Sequence, residues 1–175
     1  MNFKSTILII TAFICLSFGL PGSIQKKVDK EIKSVFGIEA FNFTSVEIPL
    51  DVSKTLPSKF GSDNLFKIEA EKKLLGYAYV SEAPSKTAQF DYLVLLDKEL
   101  IVLKTKVLIY REEYGGEIGS TRWLKQFTGK KGGDEVRYGD NIVAISGATI
   151  SVRSMTGAMN NLLTSLKVLH SKQIL

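Results

Sequence analysis

The chain has 175 residues, enough for one domain once the N-terminal segment is set aside, and 45% of them are hydrophobic, which suffices for a packed core. The net charge of +5 comes from lysines interleaved with acidic residues, a pattern that indicates a solvated surface and no nucleic-acid partner. One cysteine, Cys15, and one histidine, His170, exclude c-type haem, iron–sulfur clusters and structural zinc, so any redox chemistry must come from an organic cofactor.

The N-terminal segment predicts export. Lys4 precedes an apolar run over residues 7–20, which suits a secretory signal and falls short of a roughly twenty-residue transmembrane helix. Ser17 and Gly19 provide a small-x-small cleavage pattern. We therefore predict residues 1–22 to be a signal peptide, or alternatively a retained anchor that associates with the membrane through residues 5–22. Both alternatives place the rest of the chain in the periplasm or on the outer face of the cytoplasmic membrane.

The next segment, residues 23–64, predicts one helix and an irregular lead-in. Ile24, Val28 and Ile32 recur on one helical face, and Gly37 is placed to end the helix. Two prolines and a glycine then favour irregular structure over residues 40–64.

Residues 65–170 predict a single α+β domain with a twisted, largely antiparallel sheet and flanking helices. Strand-like segments lie at 65–69, 74–80, 90–96 and 100–110, with a hairpin turn at 97–99. In the last segment, Lys104 and Lys106 alternate with apolar residues and threonine, which predicts one buried face and one face in water.

The C-terminal third contains a glycine-rich loop, a short helix, a strand and a long helix. The loop at 112–119 holds three glycines, the short helix spans 120–127, and residues 141–145 predict a buried strand. The final helix is predicted over 151–169 with a core face at spacing 3-4-3-4-3: Val152, Met155, Met159, Leu162, Leu166 and Leu169.

The junction before the final helix predicts a phosphate cradle centred on Thr149. Gly147 and Ala148 keep the turn small, and the first N–H groups of the helix carry a partial positive charge that suits an anion. An ordinary helix cap is the alternative that these residue types also fit. The additional candidate contacts are Ser146, Ser151 and Arg153.

The segment Ser146-Gly147-Ala148-Thr149-Ile150-Ser151 resembles the flavinylation motif of the FMN-binding domain family. That family includes the covalent-flavin subunits of Rnf-type complexes and of the sodium-pumping NADH:quinone reductase. The resemblance covers roughly residues 65–169 and implies the fold of that family. It further implies that a flavin transferase, using FAD as donor, esterifies Thr149 to the phosphate of FMN. The cofactor contacts it suggests outside the cradle are Ile150, Glu113, Tyr114, Gly115, Gly116 and Trp123.

The resemblance implies an electron carrier that works with extracytoplasmic or membrane-bound redox proteins. No catalytic acid–base pair is visible, which favours a carrier over a stand-alone enzyme. Val143 stands where many members carry an aspartate, and Tyr114-Gly115 replaces a Thr-Pro pair in the loop. Three alternatives remain open: a module that binds FMN noncovalently, a flavin-free adaptor, and a reductase that acts on substrate directly.

Overall fold

A five-stranded antiparallel sheet organises residues 20–175, the part of the chain that the computed structural model describes. The strands are β1 (Asn42–Ser45), β2 (Leu65–Ala70), β3 (Lys73–Pro84), β4 (Gln89–Asp97) and β5 (Val102–Ile109), and their order in the sheet follows the chain. The helices are α1 (Gly22–Phe36), α2 (Leu50–Ser53), α3 (Thr121–Leu124) and α4 (Thr149–Ser171). The prediction of an α+β domain with an antiparallel sheet is confirmed. Most of the predicted signal peptide, residues 1–19, lies outside the described residues.

Strand β4 shows how the sheet divides the core into two layers. Tyr92, Val94 and Leu96 belong to the cluster that contains the buried face of α4, whereas Leu93 and Leu95 belong to the cluster that contains α1. This alternation follows from the two-residue period of a strand. Because a helix covers each face, β4 is almost entirely buried.

The prediction that one face of β5 lies in water is wrong, because α1 packs over that face. Lys104 Nζ lies 2.5 Å from Glu31 Oε2 of α1. Lys27, also of α1, donates its ammonium to the Leu108 carbonyl at 2.6 Å. Lys104 is therefore half-buried and places its charge against α1 instead of in open water.

The two long helices follow their predicted patterns. Helix α1 ends at Gly37, whose φ of 66° closes the last turn through an N–H bond to Lys33. Helix α4 buries all six predicted apolar positions and starts at Thr149, two residues earlier than expected. No helix within residues 20–175 has both the length and the apolar content for a membrane crossing.

Two sequence predictions of local structure are wrong. The irregular stretch at 40–64 contains β1, which pairs with β2, and the one-turn helix α2. Residues 141–145 form a loop instead of a strand, with one isolated bridge between Tyr138 and Ile142. Side chains satisfy the backbone of Val143 there: its N–H donates to Gln126 Oε1, and its carbonyl accepts from Trp123 Nε1, both at 2.8 Å.

Candidate functional site

Thr149 is exposed at the first position of α4. The residue before it, Ala148, provides no side-chain cap, and the first main-chain bond of the helix runs from the Val152 N–H to the Ala148 carbonyl at 2.9 Å. The N–H groups of residues 149–151 find no acceptor within the described chain. Such N–H groups, together with the positive end of the helix dipole, attract an anion.

Backbone conformation sets the turn that leads into Thr149. Gly147 has a φ of 77°, in the left-handed region that favours glycine. A Cβ atom there would have no neighbour within 4 Å, so the preference for glycine comes from the backbone and not from crowding. The turn therefore presents Thr149 at an open surface.

The glycine-rich loop packs directly against this turn. Gly115 has a φ of 78°, and a Cβ atom on it would lie 2.6 Å from Ala148 Cβ and 3.2 Å from the hydroxyl of Tyr110. The Tyr110 hydroxyl is itself 3.0 Å from the hydroxyl of the buried Ser151. Gly115 and Ala148, which are 33 positions apart in the sequence, are thus joined by a contact that leaves no room for a methyl group on Gly115.

A cleft of about 410 Å³ opens beside Thr149, and we call it the threonine cleft. Its volume lies within the usual range of ligand pockets. It receives residues from the β3–β4 turn, from the segment after β5, and from the start of α4. Its lining residues are Lys86, Tyr110, Glu112, Tyr114, Gly147, Ala148, Thr149, Ile150 and Ser151.

Glu112 holds the β3–β4 turn in place. Its carboxylate accepts hydrogen bonds from the Ser85 hydroxyl at 2.6 Å, from the Thr87 N–H and hydroxyl at 2.7 and 2.9 Å, and from the Ala88 N–H at 3.3 Å. The Ser85 hydroxyl, followed by the Thr87 N–H, lowers the pKa of Glu112 from 4.5 to about 2. Sequence reasoning chose the neighbouring Glu113, which is exposed.

Other predicted contact residues lie on a second cleft of about 740 Å³ on the far side of the Ser146–Gly147 junction. We call it the tryptophan cleft, and its lining residues are Glu117, Ser120, Arg122, Trp123, Gln126, Val143, Ala144, Ile145 and Ser146. Trp123 is 5% exposed, and its ring packs edge-on against Phe127 at 5.4 Å between ring centres. Trp123 therefore presents little of its ring to this cleft.

Two further predicted residues have other surroundings. The Arg153 guanidinium lies over the Tyr138 ring, 4.9 Å from its centre, and does not line the threonine cleft. Gly116 begins a 3-10 turn over Gly116–Gly119, directly after the contact that Gly115 makes. The positive charge in the threonine cleft belongs instead to Lys86, which sequence reasoning did not select.

Exposed apolar side chains gather around Thr149. Within residues 20–175, four large hydrophobic residues are strongly exposed, and three of them flank the segment that carries Thr149. Tyr114 and Ile150, at 78% and 50% exposure, line the threonine cleft, and Val143, at 64%, lines the tryptophan cleft. Apolar surface concentrated at a cleft is typical of a ligand or partner site.

Comparison with known proteins gives a family match and a structural likeness. The family model described as "FMN-binding domain" matches residues 67–164. All the residues that line the threonine cleft lie within this range. A crystal structure of NqrC from Shewanella oneidensis aligns with 75% of this chain and 69% of that chain, at 21% sequence identity and a TM-score of 0.48. No curated protein matches the chain.

Proposed function

The chain belongs to the FMN-binding domain family, and from this membership we propose that it is an exported flavoprotein that carries FMN covalently on Thr149. The observation that carries the proposal is the position of Thr149. Thr149 is exposed at the first position of α4, beside a cleft of ligand size and N–H groups that have no acceptor within residues 20–175.

The attachment reaction is a transfer of FMN from FAD by a flavin transferase. The Thr149 oxygen bonds to the FMN-side phosphorus of FAD, the pyrophosphate bond breaks, and AMP leaves with its own phosphate. The threonine proton passes to a base on the transferase. The product is a phosphodiester that joins Thr149 to riboflavin, and no oxidant or reductant is consumed.

The residues of the threonine cleft fit such a group. The N–H groups at the start of α4 suit the phosphate, because they are donors without partners in the described chain. The exposed faces of Tyr114 and Ile150 offer apolar surface to an aromatic ring. Gly115 lets its loop approach Ala148 closely enough to form the wall of the cleft.

The bound flavin supplies electron transfer, and the protein supplies its tether and surroundings. A covalent bond prevents loss of the cofactor in an open extracytoplasmic compartment. Thr149 is exposed to solvent, so a flavin attached there is accessible to a redox partner. We therefore propose a carrier that relays electrons between extracytoplasmic or membrane-bound proteins, with export directed by residues 1–22.

Intact mass of Thr149→Val, expressed with its signal and a flavin transferase, tests the attachment site. The unaltered chain should gain the mass of one FMN less one water and fluoresce after denaturing electrophoresis, and Thr149→Val should do neither. Thr121→Val is the matched control, because Thr121 is also exposed and also begins a helix. Flavin that survives denaturation in Thr149→Val would contradict the assignment.

The same experiment separates the alternatives. Flavin that copurifies but leaves on denaturation indicates a noncovalent module. Absence of flavin despite an active transferase indicates an adaptor, unless Val143→Asp restores labelling. Turnover of a soluble acceptor by the isolated protein indicates a reductase. To test export, removal of residues 1–22 should abolish labelling by a transferase confined to the outer compartment.

A further inference from the structure

The proposed phosphodiester on Thr149 carries one negative charge, and the structure offers one side-chain cation to meet it. Among the residues that line the threonine cleft, Lys86 is the only one with a positive charge. Arg153, one helical turn after Thr149, is engaged with the Tyr138 ring. Lys86 is exposed and forms no ion pair within residues 20–175, so its charge is available to a ligand.

The turn that carries Lys86 is attached to the site from two directions. On one side, the Ser154 hydroxyl in the first turns of α4 donates to the Pro84 carbonyl at the end of β3. On the other side, the Arg111 guanidinium donates to the Gln89 carbonyl at 2.7 Å, at the start of β4. These bonds hold the two ends of the hairpin next to α4 and next to the segment after β5.

Glu112 fixes the tip of the same hairpin. Its carboxylate accepts from residues on both sides of Lys86, namely Ser85 before it and Thr87 and Ala88 after it. Because these bonds fix the backbone on both sides of Lys86, pairing with an anion costs less backbone freedom than it would on a free loop. Within residues 20–175 the Glu112 carboxylate bonds to the hairpin and forms no ion pair with Lys86.

We propose that Lys86 neutralises the phosphodiester on Thr149, and that Glu112 is a positioning residue that holds Lys86 over the cleft. This inference rests on the proposed covalent attachment. It assigns the counter-charge to a hairpin far from the flavinylation motif in sequence.

Amine footprinting of the full-length protein tests the pairing directly. Reductive methylation followed by mass spectrometry measures how fast each lysine reacts, in the flavinylated chain and in Thr149→Val. Lys86 should react about two- to fivefold more slowly when flavin is attached, the range expected for an exposed charge pair. Raised salt should weaken this protection, because salt screens exposed charges.

Lys72 is the internal control. It lies in the β2–β3 turn, which is at the opposite end of the sheet from the β3–β4 turn, and it is exposed. Lys72 should react at the same rate with and without flavin. Glu112→Gln should abolish most of the protection of Lys86 while leaving Lys72 unchanged. If Glu112 had only a structural role, Glu112→Gln would lower stability, but the ratio of Lys86 reactivity between the flavinylated and flavin-free chains would not change.

The outcomes separate the two proposals. If the unaltered chain gains no covalent flavin, the proposed function fails and this inference fails with it. If flavin is attached and Lys86 reacts equally fast in both forms, only the pairing is overturned. Salt-insensitive protection would also overturn it, since that result indicates steric cover by the flavin. Flavin should attach to Lys86→Arg as fast as to the unaltered chain, and it should attach to Lys86→Gln more slowly.

Discussion

Two clefts of similar volume lie at the starts of the two long helices, and the difference between them supports the proposal that FMN is carried at the threonine cleft. The α1 cleft, about 490 Å³, is lined by Leu20, Pro21, Ile24, Lys59, Asp63, Asn64, Val80, Ser81, Glu82, Gln89 and Asp91. The threonine cleft, about 410 Å³, is slightly smaller. Both helices begin without a side-chain cap. Volume and a bare helix start therefore do not distinguish the two.

Charge and chemistry do distinguish them. The α1 cleft has three carboxylates and one lysine, and two of the carboxylates, Glu82 and Asp91, face each other across β3 and β4. Arg111 contacts Asp91 at 2.6 Å as a charge pair without an aligned hydrogen bond, and no cation pairs with Glu82 in the described chain. A phosphate would be repelled there. Helix α1 also begins with Gly22, which has no hydroxyl, whereas α4 begins with Thr149.

Gly115→Val should damage the threonine cleft most, because its side chain has no space and its backbone is in the left-handed region. The Cβ atom alone would lie 2.6 Å from Ala148 Cβ. We expect a loss of about 2–5 kcal/mol in the free energy of unfolding, together with loss of flavin attachment. Urea unfolding and intact mass measure the two effects.

Gly116→Val is the matched control for that prediction. Gly116 is the next residue in the same loop, has no positive φ, and would place its Cβ in open space. Its unfolding free energy should stay within about 0.5 kcal/mol of the unaltered chain. Equal destabilisation by both variants would show that the contact with Ala148 does not shape the cleft.

Periodicity allowed much of the fold to be predicted from the sequence. Helices α1 and α4 and strands β2 to β5 each bury a regular set of apolar residues, so their positions were visible. Strand β1 has four mostly exposed residues and no such pattern. The loop at 141–145 resembles a strand in composition, but its partners are the side chains of Gln126 and Trp123, which no local pattern reveals.

The candidate site divides in the same way. Thr149, Gly147 and Gly115 could be selected because their residue types are specific to a turn or a helix start. Lys86 and Glu112 could not, because a lysine in a hairpin and one of two adjacent glutamates carry no local signal. Only the pairing of β3 with β4 and the course of the chain after β5 bring them to Thr149.

Gly147→Val should have the next largest effect on stability. It also distinguishes the cost of backbone strain from the effect of the turn's position next to Thr149. Its φ of 77° makes a branched side chain cost about 1–2 kcal/mol of unfolding free energy. Gly139→Val is the matched control, since Gly139 has a φ of 78° and equally open space. Both variants should be destabilised alike in urea, but only Gly147→Val should label more slowly. Equal labelling would show that the turn before Thr149 does not control attachment.

The smallest expected effect is that of Glu112→Gln on the pH dependence of stability. Glu112 is fully hydrogen-bonded, unlike the carboxylates of the α1 cleft. In the threonine cleft Glu112 is satisfied by four hydrogen bonds, so its pKa falls from 4.5 in the unfolded chain to about 2 in the folded one. A depressed folded pKa adds stability that is fully present above about pH 4.5 and is lost as the pH falls toward 2. Glu112→Gln lacks this contribution at every pH. The stability difference between the unaltered chain and Glu112→Gln should therefore be constant from pH 7 to 5 and shrink between pH 4.5 and 2.

Urea unfolding at several pH values measures that difference, and Glu113→Gln is the control. Glu113 is adjacent and exposed, and it forms no hydrogen bond or ion pair within residues 20–175, so its variant should follow the unaltered chain throughout. A difference for Glu112→Gln that persists unchanged at pH 2.5 would mean that the ionised carboxylate does not hold the hairpin. In that case the hairpin that carries Lys86 would be held mainly by the bonds at its two ends, from Ser154 to Pro84 and from Arg111 to Gln89.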